Sequence, residues 1–209
     1  MMGFFKSKIL KLAYLFYRWG KEIDDLNRSD SRRRELDRKA ILNEGSIVYD
    51  EAVITNGQND RNKIIIGKNS RILSNLLVFG HGGEIQIGEN TFCGPDTRIW
   101  SAKKIVIGDR VMISHNVNIH DNISHPLNSR KRHEDFLHIF SVGYQKVNDL
   151  REREIVIEDD VWIGFNCTIM KGITIGKGAI IGSNTIVKED VPPFAVVVGN
   201  PARILKYSD

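Results

Sequence analysis

The chain has 209 residues, a length for one domain with an appendage, and 41% apolar with 27% charged residues is an ordinary water-soluble composition. Its net charge of +4 hides an asymmetry: residues 1–40 hold 11 Lys/Arg against 6 Asp/Glu, and the remainder holds 19 against 20. A nearly neutral body argues against nucleic acid as a partner, since that needs a basic face.

Residues 4–19 read FFKSKILKLAYLFYRW. Lys8, Lys11 and Arg18 interrupt the apolar run, which is too short and too charged to span a bilayer. No small-residue cleavage site marks a signal peptide. Ile9, Leu12, Phe16 and Ile23 fall on one helical stripe with Leu15 and Trp19 beside it. Aromatics with flanking bases fit an interfacial helix, peripheral at the inner face of the cytoplasmic membrane. A helix packed on the body or on a neighbouring subunit fits equally. Residues 20–40 are strongly charged and read as a solvated helix, so 1–42 form an α-helical arm and 43–206 the body.

The body opens raggedly near Ile47. Ile66, Ile72 and Val78 keep a six-residue step, HGGE resets it to Ile87, Cys93 and Ile99, and Ala102–Lys104 resets it to Ile107, Ile113 and Ile119. After an interruption over about 121–154 the step returns without a slip at Ile157, Ile163, Ile169, Ile175, Ile181 and Val187. Neither a helix nor a flat strand repeats at six. Short strands joined by tight turns do, returning each aliphatic residue to one corner of a coil and stacking them into a column. The position four further on is modest in size and also inward-looking: Val161, Cys167, Ile173, Ala179, Thr185. The fold class is therefore all-β, a parallel β-helix of about seven coils with an extended loop, preceded by the helical arm. Cys93 and Cys167 occupy core slots, as reduced small hydrophobes of a cytoplasmic protein.

The interrupting segment is polar and mixed in charge, and a loop of that length in a compact repeat is expected to serve function. Its cluster Arg130, Lys131, Arg132 and His133 reads as a solvated charge run or as an attractor for an anionic glycan. At the C-terminus, Pro192-Pro193 and Gly199-Asn200-Pro201 break the backbone ladder, and Ile204 and Leu205 are expected to cover the open end of the core.

Among residues suited to chemistry, His125 stands at the start of the interruption beside the stiffening Pro126. A neutral imidazole accepts a proton from a hydroxyl near neutral pH. Asp121, four residues earlier, could orient the ring. Trp162 takes the last place of its hexad and points outward; an indole N–H can donate to a developing oxyanion.

Together the hexads, His125-Pro126 at the root of an interrupting loop, Val161-Trp162-Ile163-Gly164 and Gly199-Asn200-Pro201-Ala202-Arg203 resemble the hexapeptide-repeat acyltransferases. The likeness is nearest to the polysaccharide O-acetyltransferases, including capsular ones, and to the galactoside and maltose enzymes; it covers roughly residues 105–206. The resemblance implies a left-handed β-helix, a homotrimer, and acetyl-CoA as co-substrate with no metal. It implies His125 as general base and Trp162 at the oxyanion. For acetyl-CoA contacts it implies Gly164, Ser183, Lys188, Arg203 and Lys206, and for the acceptor Asp96 and Asp121. Phe165 and Glu189 depart from the galactoside pattern. The activity expected is direct acetyl transfer to a sugar hydroxyl of a bacterial surface polysaccharide or its precursor. A nucleotide-sugar N-acetyltransferase shares the scaffold. His81, His115 and His120 also resemble the zinc set of γ-class carbonic anhydrases, the competing reading.

Overall fold

The computed structural model describes residues 14, 17–21, 23, 31–143 and 150–208. Two compact units divide the chain, Met1–Arg38 and Lys39–Asp209. Helical backbone is described at 14, 17–21 and 23 and over 31–39, here α1, whose last residue begins the second unit. Most of the expected interfacial stripe lies outside the described residues. Trp19 and Ile23, which are described, are exposed. Among the described residues no helix is long and apolar enough to cross a membrane.

The second unit is a coil of short strands. The first two coils contain β1 (Ile41–Leu42), β2 (Ile47–Val48) and β3 (Val53–Asn56), then β4 (Ile64–Ile66), β5 (Arg71–Ile72) and β6 (Asn75–Val78). The next two contain β7 (Ile85–Ile87), β8 (Phe92–Cys93) and β9 (Arg98–Ser101), then β10 (Ile105–Ile107), β11 (Met112–Ile113) and β12 (Asn118–His120). Helix α2 (Ser129–Val142) follows, then β13 (Ile155–Ile157), β14 (Trp162–Ile163), β15 (Thr168–Ile169), β16 (Thr174–Ile175), β17 (Ile180–Ile181) and β18 (Ile186–Val187). The end is β19 (Ala195–Val198) and β20 (Arg203–Tyr207).

Through β18 every third strand stacks, giving a prism with three faces. Face A is β1-β4-β7-β10-β13-β16, face C is β3-β6-β9-β12-β15-β18, and face B is β2-β5-β8-β11-β14-β17-β19-β20. All pairings are parallel except β19 with β20. Six coils are thus complete and β19 begins a seventh.

The six-residue step is the cause. Ile157, Ile163 and Ile169 stand in register with Ile175, Ile181 and Val187, three hexads on, and all are buried. The slots four further on, Val161, Cys167, Ile173, Ala179 and Thr185, are buried too. Burial pushes the Cys93 thiol up to about 12, so it acts as core filling. The corners need left-handed backbone, and short polar side chains tolerate it. Asn90 and Asp160 supply it between faces A and B, and Asp96, Asn116, Asn166 and Asn184 between B and C.

Two expectations are corrected. Val78 is buried, but Leu76 is the residue in register with Ile99, because β6 runs two residues past the corner slot. Ile204 and Leu205 are exposed, since β20 turns back antiparallel along the edge of face B rather than across the end of the core.

Ile113 lies between Cys93 and Ile163 in one column and has no accessible surface. Ile113→Ala should cost about 2–5 kcal/mol, read from denaturant unfolding, because stacked coils leave little freedom to close the cavity.

Candidate active site

The interruption leaves face C after β12 and returns to face A at β13, and the register jumps accordingly from Ile107 to Ile157. Its root is tied down by Asp121, which is fully buried. Asp121 Oδ1 accepts from the Ala102 N–H at 2.8 Å and from Asn122 Nδ2 at 3.0 Å. Its Oδ2 accepts from the Ser101 hydroxyl at 2.7 Å and the Lys103 N–H at 2.9 Å. On the return, the Arg153 N–H donates to the Asp121 carbonyl at 2.9 Å. A carboxylate with four donors has nothing left for an imidazole or a sugar, so the expected orienting and acceptor-binding roles of Asp121 give way to a structural one.

From that root the chain makes a tight turn. The Ser124 N–H donates to Asn122 Oδ1 at 2.7 Å, Ser124 is left-handed, and the His125 N–H donates to the Ile123 carbonyl at 2.7 Å. Pro126 is buried and His125 exposed. Helix α2 then begins, where sequence reading expects only a polar loop. Its cap Asn128 accepts from the Lys131 N–H at 3.1 Å. The Arg132 guanidinium reaches back to the Leu127 and Pro126 carbonyls at 3.0 and 3.3 Å, strapping the His-Pro turn to the helix. Asp135, on the next turn, places Oδ2 2.9 Å from His125 Nδ1. No sequence signal identifies Asp135: its contact with His125 exists only once the segment folds into α2. The basic cluster 130–133 lies in the first turns of α2, with Arg132 in the strap and His133 stacked on Phe136.

Trp162 is 47% exposed on the outer side of face B, in register with Met112 and Ile180. His125 lies past the end of face C. A single chain therefore sets the two on different sides of the prism. Asp96 sits on another corner, between faces B and C, in line with Asn116.

The expected coenzyme contacts form two groups. Gly164 packs directly on Ser183 in the next coil; a Cβ there would meet the Ser183 amide nitrogen at 2.7 Å, so only glycine fits. Lys188 and Arg203 line one open cavity of about 470 Å³ with Pro192, Pro201 and Ile204. Lys206 lies on β20 opposite Val196, outside that lining.

The three histidines of the competing reading each stack on a different aromatic: His81 on Phe79, His115 on Phe165, His120 on Trp100. Among the described residues of the chain no group of three His, Cys, Asp or Glu is placed to hold a metal ion. Burial lowers the His120 pKa, Arg98 adds to this and Asp121 opposes it, so His120 stays neutral beside the root of the interruption.

Comparison with known proteins bears on the fold. Residues 154–189 match the family described as bacterial transferase hexapeptide (six repeats). The chain is 31% identical over 130 residues to galactoside O-acetyltransferase of Escherichia coli, covering 62% of this chain and 57% of that one. It is similar to a hexapeptide-repeat acetyltransferase of Vibrio cholerae solved with acetyl coenzyme A, at 28% identity and TM-score 0.53, over 86% of this chain and 78% of that one. It is also similar to the polySia-specific acetyltransferase, at 26% identity and TM-score 0.61, over 80% and 66%. The chain spans a little over half the length of the galactoside enzyme. The fold is a left-handed parallel β-helix. The chain carries the hexapeptide repeat over residues 154–189 and is similar to hexapeptide-repeat acetyltransferases.

Proposed function

We propose that the protein transfers acetyl from acetyl-CoA to a hydroxyl of a sugar in a bacterial surface polysaccharide or its precursor. The observation that carries this is the His125 ring, 46% exposed at the mouth of the interruption and held at Nδ1 by a carboxylate. An ionised carboxylate only accepts, so Nδ1 bears the proton and Nε2 keeps its lone pair facing outward. Nε2 takes the proton of the acceptor hydroxyl as its oxygen attacks the thioester carbonyl carbon. The C–S bond breaks, and the departing thiolate recovers the proton from the imidazolium. Donors near Trp162 hold the oxyanion meanwhile. No acyl-enzyme forms.

Because His125 and Trp162 occupy different sides of one prism, this reading requires a second copy to bring them together, and a closed trimer does so. The exposed column Phe92, Met112, Trp162 along face B suits such a cleft. Acetyl-CoA fits the remaining residues: the Gly164–Ser183 contact admits a close-lying arm, and Lys188 with Arg203 offers cations for its phosphates. Each of Lys188→Ala and Arg203→Ala should raise KM for acetyl-CoA about tenfold with kcat little changed, the scale of one charge-assisted hydrogen bond. The deciding assay is acetyl transfer from acetyl-CoA across a panel of glycans and nucleotide-amino-sugars. Transfer confined to amines would replace the proposed hydroxyl acceptor.

A further inference from the structure

We infer that Asp135 is the positioning residue for His125, and that α2 exists in the interruption to present it. This rests on the reading of His125 as the base. It adds a residue for which nothing in the sequence pattern argues.

The contact is direct, with 2.9 Å between Nδ1 and Oδ2. The Asp135 side chain is 13% exposed against 46% for the His125 side chain, so the carboxylate is the less exposed partner and the ring the more open one. That ordering suits a fixed anchor below a working group. The backbone at both ends is held independently of the contact. On the histidine side the His125 N–H is bonded to the Ile123 carbonyl, and the Ser124 N–H to Asn122. On the aspartate side, the Asn128 cap starts the helix and the Arg132 strap fixes its second turn to residues 126 and 127. With both backbones set, the freedom left to His125 is rotation of its ring and exchange of its two tautomers. Asp135 removes both: it accepts only, so it selects the Nδ1–H form and aims Nε2 away from the helix. Asp121, the nearer acid in sequence, cannot substitute, since all its acceptor positions are spent on Ser101, Ala102, Lys103 and Asn122.

The role differs from that of a structural ion pair in what its loss does. An asparagine at 135 keeps the shape but can offer an N–H to Nδ1, which moves the ring proton to Nε2 and leaves no lone pair for the acceptor. In the well-known serine-protease arrangement that change lowers kcat by about 10⁴. Here, at a more open site, a fall of at least about 10²-fold is expected.

The experiment uses the full chain, histidine labelled with ¹⁵N, in mildly alkaline buffer where imidazoles are neutral. The His125 resonances are assigned by their loss in His125→Ala. Wild type should show Nδ1 protonated and Nε2 bare, and Asp135→Asn the reverse. In parallel, Asp135→Asn should lower kcat at least about 10²-fold with KM for acetyl-CoA within about twofold. An unchanged tautomer, or a kcat loss below about threefold, overturns the inference. If Asp135→Asn also loses helical circular dichroism, Asp135→Glu decides instead. Recovery to a tenth of wild-type kcat or more supports positioning by a carboxylate, and no recovery overturns it. An active His125→Ala removes the base reading and this inference with it. An inactive His125→Ala beside an unmoved tautomer removes the inference alone.

Discussion

His125→Ala is expected to lower kcat for acetyl transfer by about 10²–10⁴-fold, the usual worth of a positioned base. KM for acetyl-CoA should stay within about twofold, because the Lys188–Arg203 cavity is formed around β18 and β20, separate from the interruption. Stability should hardly move. The ring is exposed, its backbone bond to Ile123 survives the substitution, and the Asp135 carboxylate it leaves can be reached by water. The comparison is made by steady-state kinetics on both substrates beside a thermal melt. A variant keeping more than about a tenth of wild-type kcat would show that the imidazole takes no part in proton transfer. A variant that loses kcat and also melts early would point to a scaffold role.

What could be read from the chain before the structure follows from the range of the forces involved. The aliphatic column depends on a strict period, and a period is visible wherever it is unbroken: Ile157 to Val187 fall into register as the spacing requires. It blurs where turns lengthen. Val78 keeps the step in sequence, yet the longer β6 gives its corner place to Leu76. Helix α2 escaped because it buries no residue, so its apolar positions carry no clear stripe. Its capping Asn128 is a local cue only once a helix is suspected. Spacing in sequence points to Asp121 as the acid for His125, and the fold spends its oxygens elsewhere. A spacing of four brings two residues onto one face only in a helix, whereas the backbone between Asp121 and His125 turns through a left-handed Ser124. Asp135, ten residues on, becomes a neighbour only through the fold of the interruption itself. His125 and Trp162 could each be singled out by residue type and place, but their placement on different sides of the prism is a property of the stacking, visible only when strands are assigned to faces.

Asp121→Ala should be the most destabilising of the changes around the site, at about 3–5 kcal/mol by denaturant unfolding. The carboxylate is fully buried and accepts from the Ala102 and Lys103 amides and the Ser101 hydroxyl. Its removal strands those donors, and each unsatisfied buried group costs about 1–3 kcal/mol. Some of that is recovered if water enters the space. Asp121→Asn should fare little better. A carboxamide keeps the volume but turns an N–H₂ toward donors that need an acceptor, so one side of the network meets like with like. The Ser101 hydroxyl also accepts from the Glu84 N–H at 3.1 Å, so the disturbance extends to the corner between β9 and β10 and to the coil before it. Activity at Asp121 should fall only as the folded fraction falls and as the root of the interruption loosens. Mild stabilising conditions, such as an excluded osmolyte, should restore much of it. Asp135 is expected to behave oppositely, with a large loss of kcat in a protein that melts like wild type. The two carboxylates near His125 can thus be told apart by which quantity moves. If Asp121→Asn instead kept full stability and lost kcat beyond rescue, the buried acid would belong to the chemistry and the division of labour between the two would be reversed.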